Sequence, residues 1–351
     1  MTIGVVGIGN LVLESGALLL DVELAYEISG PADAPVILAC HALTGNHLTV
    51  GSSALPGWWA GLVGPQCPLD TNRYRVITFN VIGGCNGSTG PLHINPETGK
   101  PYRADFPSIT IRDIVHAEKK GLENLGISRV FAVIGGSLGG MQVLEWGLLY
   151  PDDMELLIPL AVTPELSDYG IAFNYIGIHA IEQDPHFRAG NYRSATDVKG
   201  FETARIAGMV SYRSQELFSQ RFNREERSDG IYEVESYMKH MGRKITGRFD
   251  PNSYLTLLRA MNSHDIGKGR GGFRGAVKGY KAKVAAIGFT YDLIYPSERI
   301  REFTHSVPNG NFHLVHTKFG HDGFLTEYSK WGFIIQANLE ANACKPLKLH
   351  Y

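Results

Sequence analysis

Val133-Ile134-Gly135-Gly136-Ser137-Leu138-Gly139-Gly140-Met141 is the stretch on which the fold turns. Residues 135–139 match G-x-S-x-G, a pattern that carries little by itself and much in context. Val130–Ile134 (VFAVI), just before it, is a short apolar run of the kind a buried parallel strand shows. Met141–Tyr150 (MQVLEWGLLY), just after it, reads as a helix stopped by Pro151. A serine on so tight a strand-to-helix turn needs glycine neighbours, because Cβ atoms crowd the backbone there. The helix behind it sets backbone N–H groups and a positive dipole end where a negatively charged oxygen would form. The arrangement predicts a nucleophile, Ser137, with the N–H of Leu138 as one oxyanion donor.

Working outward, Leu18–Tyr26, Val36–Cys40 and Tyr74–Val81 have strand character, with a Gly-rich loop at 83–91. Thr110–Leu125 has Ile111, Ile114, Val115, Leu122 and Leu125 on one helical side, and Leu156–Val162 reads as another buried strand. Strand, helix, strand at this spacing predicts right-handed βαβ units and a parallel sheet. From Pro164 to Ser263 the pattern turns helical, as in Ile171–Gln183, Gly200–Ser211, Tyr232–Gly242 and Ser253–Asn262. Strand character returns at Val284–Phe289 and Phe312–Thr317, and Phe324–Asn342 closes as a helix. The expected architecture is α/β: an α/β-hydrolase fold with a mostly parallel sheet flanked by helices. Residues 1–163 and 264–351 form its core, and 164–263 a helical cap inserted in it.

A serine hydroxyl is a poor nucleophile until a neighbouring base takes its proton. In this fold the acid and then the histidine follow the serine along the chain, on loops leaving the carboxyl ends of strands. Asp292 lies just past Val284–Phe289, and His321 lies just past Phe312–Thr317. His313 and His316 fall inside the expected strand, which suits packed or solvated side chains better than a base. Asp322 adjoins His321, and adjacent side chains rarely face each other, so Asp292 is the expected acid. The second oxyanion donor should come from the loop after an early strand. His41-Ala42-Leu43-Thr44-Gly45 follows Val36–Cys40 and offers Leu43, with His41 shaping the loop.

Composition narrows the remaining classes. A net charge of −2 without a block of like charges gives no electrostatic reason for nucleic acid or an anionic membrane as partner. Cys40, Cys67, Cys85 and Cys344 include no C-x-x-C pair, so reduced thiols are expected rather than a zinc or redox site. Met1–Leu13 lacks the pattern of a signal peptide, and no run is long and apolar enough to span a bilayer, which points to the cytoplasm.

Several stretches together resemble the homoserine O-acetyltransferase family: CHALTGN (40–46), FNVIGGCNGSTGP (79–91), FPSITIRDIV (106–115), VIGGSLGGMQVLEW (133–146), ARIAGMVSYRS (204–214), RFDPNSYLTLLRAMNSHDI (248–266) and GHDGFL (320–325). The resemblance implies a Ser137–Asp292–His321 triad, an oxyanion hole from Leu43 and Leu138, and a ping-pong reaction in methionine biosynthesis. Acetyl-CoA, or another acyl-CoA, would be a co-substrate, with no bound cofactor and no metal. It implies that Asp322 meets the substrate ammonium, that Tyr212 and Arg213 stand on the substrate side, and that the chain is a homodimer associated through the cap. Where the family carries an arginine opening an R-Q-A-I stretch, this chain has Ile178, which cannot donate to a carboxylate. Either Arg188, Arg213 or His179 takes that role, or the acceptor is another small hydroxyl such as that of serine. An ester hydrolase of the same fold is the alternative.

Overall fold

The computed structural model describes residues 1–227 and 230–343, so Cys344 lies outside the described residues. One 8-stranded sheet organises the chain. Its strands are β1 (Thr2–Val12), β2 (Leu18–Ser29), β3 (Val36–Cys40), β4 (Arg75–Phe79), β5 (Ala132–Gly136), β6 (Leu156–Leu160), β7 (Lys283–Phe289) and β8 (Gly310–Val315), in the order β1-β2-β4-β3-β5-β6-β7-β8. β1 and β2 are antiparallel, as are β2 and β4; every other pairing is parallel. Before β6 come helices α1 (Ile111–Asn124) and α2 (Leu138–Leu149). Between β6 and β7 lie α3 (Asp168–Glu182), α4 (Lys199–Tyr212), α5 (Gln215–Phe222), α6 (Glu233–Thr246), α7 (Pro251–Asn262) and the single turn α8 (Phe273–Ala276). After β7 come α9 (Ser297–Ser306) and α10 (Tyr328–Ala343).

The strands are apolar on both faces because both are covered, which is why they read as continuous runs. Alternate residues split the core in two. Leu38, Val133 and Leu157 pack with α1, α2 and α9. Ile37, Ala132, Ile134 and Ile158 pack with Trp331, Ile335 and Leu339 of α10 and with Trp59. Registers Cys40↔Gly135 and Leu160↔Gly136 set the end of β5 between the ends of β3 and β6. Ser137 therefore emerges at the middle of the sheet's carboxyl edge.

The structure corrects several boundaries. The strand before the serine runs Ala132–Gly136, and α2 starts at Leu138 rather than Met141. Gly139 and Gly140 read as loop by propensity, but packing overrides it. A Cβ on Gly139 would stand 2.1 Å from the Cys40 carbonyl oxygen, so the helix lies on β3 where only glycine fits. The last helix starts at Tyr328, not Phe324, because a 3-10 turn (Gly320–Leu325) and a positive φ of 48° at Glu327 come first. The last strand is Gly310–Val315, ending two residues before the expected boundary; His313 lies in it, half-buried, and His316 just past it. β1, α5 and α9 were not anticipated. β1 is a glycine-interrupted edge strand with Ile3 and Val5 exposed and Ile8 and Leu11 buried three residues apart, so its apolar residues lack the two-residue alternation of a half-buried strand.

The chain enters and leaves the helical segment at adjacent points: Leu166 N–H donates to the His264 carbonyl (3.1 Å) and Ile266 N–H to that of Pro164 (3.0 Å). No helix among the described residues is long and apolar enough to cross a membrane.

α1 opens with a capping box between Thr110 and Asp113, and it buries Glu118, 1% exposed, under α2. Trp146 Nε1 donates to the Glu118 carboxyl at 2.8 Å. Burial pushes this carboxyl up from 4.5 to about 8, the Trp146 bond pulling the other way. The folded chain therefore binds this proton more tightly than the unfolded one. Its contribution is fully present below about pH 4.5 and is lost as pH rises toward 8, at up to about 1.4 kcal/mol per pH unit. Glu118→Gln is expected to remove that slope. Thermal unfolding at pH 5 and pH 8 checks it: the wild type should lose more stability across the interval than the variant, and equal losses would refute the assignment.

Candidate active site

Ser137 sits between β5 and α2 at φ 58°, ψ −122°, a conformation that non-glycine residues avoid. Gly135 permits it, since a Cβ there would come within 2.7 Å of the Gly139 backbone. The N–H of Leu138, first in α2, has no acceptor within its own helix and stands beside the serine. Leu43, on the loop after β3, lines the same cavity as Ser137. That loop is fixed by His41: its Nδ1–H donates to the Ala42 carbonyl (2.8 Å), and its Nε2 accepts from Val81 N–H (3.1 Å). Burial lowers the His41 pKa to about 4, so the ring stays neutral and keeps both bonds.

Asp292 lies on the loop after β7, buried. Its Oδ1 accepts the N–H groups of Ile294 and Tyr295, both at 2.9 Å. Its Oδ2 lies 2.8 Å from Nδ1 of His321, which rides on the 3-10 turn after β8. Bonding through Nδ1 leaves Nε2 for the cavity, where His321 and Ser137 are both lining residues. Rings of Tyr212, Tyr295 and Phe324 surround the imidazole at 5.7, 5.1 and 5.4 Å. Burial alone would lower its pKa, but the charge and hydrogen bond of Asp292, with Asp322 adding, raise it above 6.5. Serine, acid and histidine, far apart in sequence, thus meet at one point, and neither His313 nor His316 lines the cavity.

The cavity measures about 300 Å³ and carries more positive than negative charge, with Arg205, Arg213 and Arg248 against Asp322. Arg213 Nε pairs with Asp322 Oδ2 at 3.0 Å, and its Nη1 donates to the Tyr237 hydroxyl at 2.5 Å. Arg248, at the rim, donates to the carbonyl and hydroxyl of Thr44, both at 3.2 Å. Arg205 reaches over the Tyr212 ring (5.7 Å) and has no ion pair among the described residues. Tyr212, Arg213 and Asp322, the residues expected on the substrate side, all line the cavity.

The expectation for Ile178 is corrected. It is 7% exposed within the apolar core and does not line the cavity; Asn174, one turn earlier on α3, does. Its lack of charge therefore removes nothing from the site. Arg188 and His179 are exposed elsewhere. Arg205 and Arg248 were missed, although Arg205 precedes Tyr212 by two helical turns on α4, a spacing that shares one face. Among the described residues no group of three or more His, Cys, Asp or Glu side chains is placed to hold a metal ion.

This combination of sheet, turn and strand-end loops defines an α/β-hydrolase-fold protein, and the family model for that fold matches residues 35–328. The chain is 45% identical to a homoserine O-acetyltransferase of Symbiobacterium thermophilum, covering 91% of this chain and 88% of the relative. It is 41% identical to one of Moorella thermoacetica, covering 93% of each. Within the fold class, the chain belongs to the homoserine O-acetyltransferase family. A solved homoserine O-acetyltransferase from Staphylococcus aureus superposes with a TM-score of 0.82 at 34% identity, over 99% of this chain and 98% of that one. Esterase E22 superposes with a TM-score of 0.89 at 25% identity, over 96% and 99%.

Proposed function

We propose that this enzyme moves an acetyl group from acetyl-CoA to the hydroxyl of L-homoserine through an ester on Ser137, a step toward methionine. One observation carries the chemistry: the buried Asp292–His321 pair, 2.8 Å apart, opens on the cavity that also holds the strained serine. His321 Nε2 takes the proton of Ser137 Oγ as that oxygen attacks the thioester carbonyl. The carbonyl oxygen, turned anionic, faces the N–H groups of Leu138 and Leu43. Coenzyme A leaves as the thiol with the proton from His321. Homoserine then gives its hydroxyl proton to His321 and attacks the ester, and Ser137 Oγ regains the proton as it departs.

The cavity's charges support a zwitterionic acceptor. Asp322, beside His321 and paired with Arg213, suits the ammonium group. Arg205, without an ion pair among the described residues, suits the carboxylate. Aromatic and apolar side chains exposed on the cap helices, Tyr175, Ile176 and Val210, suit a second copy of the chain, making a homodimer through the cap. The free thiols Cys40, Cys67 and Cys85 suit a reducing compartment such as the cytoplasm.

The likeness to esterase E22 favours discharge by water as the second reading. Thiol release from acetyl-CoA, followed with and without homoserine, separates the two. Release that depends on homoserine supports transfer, and equal release in its absence overturns it. Arg205→Gln is expected to raise the KM for homoserine roughly 10- to 100-fold, the loss of one charge-assisted pair. Hydrolysis of p-nitrophenyl acetate, which carries no carboxylate, should be unchanged.

A further inference from the structure

Tyr295 meets the catalytic group at three levels. Its backbone N–H donates to Asp292 Oδ1 (2.9 Å), its ring lies 5.1 Å from that of His321, and its side chain lines the cavity beside Ser137. The residue is 0% exposed, and its hydroxyl lies next to the Ser137 side chain without reaching full hydrogen-bond geometry with any described group. Buried hydroxyls are ordinarily paired, because an unpaired one forfeits its bond to water. Phenylalanine would fill the same space and keep the backbone and ring contacts without that penalty. The hydroxyl's partner is therefore sought in the neighbouring Ser137 Oγ, at the stage of the reaction when that oxygen has given up its own proton and can accept.

We infer that Tyr295 is a further catalytic residue, whose hydroxyl donates a hydrogen bond to Ser137 Oγ while the bond between that oxygen and the acyl carbon forms and breaks. The inference rests on the serine-ester reading above. In acylation, Ser137 Oγ bonds to the thioester carbon as its proton passes to His321. In deacylation, the C–Oγ bond breaks and the proton on His321 returns to the departing oxygen. In both, partial negative charge gathers on Oγ, and a fixed donor stabilises it. Tyr295 gives up no proton. Burial, with the charge of Asp292, holds the phenol well above its ordinary range despite the opposing effect of Ser137, so it remains a donor at any working pH. Leu43 and Leu138 serve the carbonyl oxygen; Tyr295 serves the ester oxygen.

The test is Tyr295→Phe, examined by stopped flow with p-nitrophenyl acetate and by steady-state transfer from acetyl-CoA to homoserine. The burst rate and the slower turnover should both fall roughly tenfold, the worth of one hydrogen bond to a developing charge. The KM for homoserine should hold, and the thermal midpoint should stay level or rise, since no native hydrogen bond is lost. The low-field proton resonance of the His321–Asp292 bond should persist. Rates within twofold of wild type would overturn the inference. So would slower rates accompanied by loss of that resonance, because Tyr295 would then act only by positioning the pair. Intact mass of the wild type after brief exposure to acetyl-CoA keeps the two readings apart: an ester on Ser137 with normal rates in Tyr295→Phe sinks this inference alone, whereas no ester sinks the serine-ester reading and this inference with it.

Discussion

Ser137→Ala is expected to lower transfer from acetyl-CoA to homoserine by on the order of 10⁴-fold or more, leaving only what binding and the oxyanion donors supply. The fold should survive. Alanine keeps the Cβ that already sits at φ 58°, and no backbone bond of the elbow depends on the hydroxyl: Ser137 N–H donates to the Leu160 carbonyl at 3.1 Å, and its own carbonyl accepts from Met141 N–H at 3.0 Å. Circular dichroism should therefore be unchanged, and intact mass after exposure to acetyl-CoA should show no adduct. Ser137→Gly sharpens the test, because glycine tolerates this backbone region without strain. It should be equally inactive yet unfold at a higher temperature than the alanine variant. Activity within tenfold of wild type in either would remove Ser137 from the chemistry.

The second large effect is expected of Asp292→Asn, a loss of roughly 10³- to 10⁴-fold in kcat. Its cause lies in two backbone groups. Ile294 and Tyr295 each donate an N–H to Asp292 Oδ1, so an amide at this position must turn its oxygen toward them. The NH₂ is then presented to His321 Nδ1, which can only accept it, and the imidazole proton moves to Nε2. A histidine protonated at Nε2 cannot take the proton of Ser137. The same carboxylate raises the His321 pKa above 6.5, working with its hydrogen bond against burial. Since the base acts only when neutral, wild-type activity should fall as pH drops through a value above 6.5. In Asp292→Asn the acid limb of the residual activity should move to lower pH. An unmoved limb would mean that Asp292 does not set the charge of this histidine.

Ser137, Asp292 and His321 were legible because backbone geometry advertises each of them. The serine stands on a turn only glycine-flanked sequences make, and the other two stand just past runs of strand character. The strand-to-helix order was legible for the same reason, through periodicity and punctuation. Cavity chemistry was not. Whether Ile178 or Asn174 faces the substrate depends on how α3 lies against α4, where Gly177 approaches Ala204, and no local pattern fixes that rotation. Arg205 and Arg248 come from different helical neighbourhoods of the insertion and meet only through its packing. Tyr295 reads as one more large side chain, and only the folded chain sets its buried hydroxyl beside Ser137. β1 escaped because glycines and exposure erase the alternation that marks a half-buried strand.

The two paired backbone crossings at 164–166 and 264–266 carry a consequence for how such enzymes diversify. The arginines that line the cavity, Arg205, Arg213 and Arg248, all enter between those crossings, while Ser137, Asp292, His321 and Asp322 lie outside them. A lineage can therefore rewrite the intervening residues, trading one acceptor for another, without disturbing a single strand of the machinery that breaks the bond.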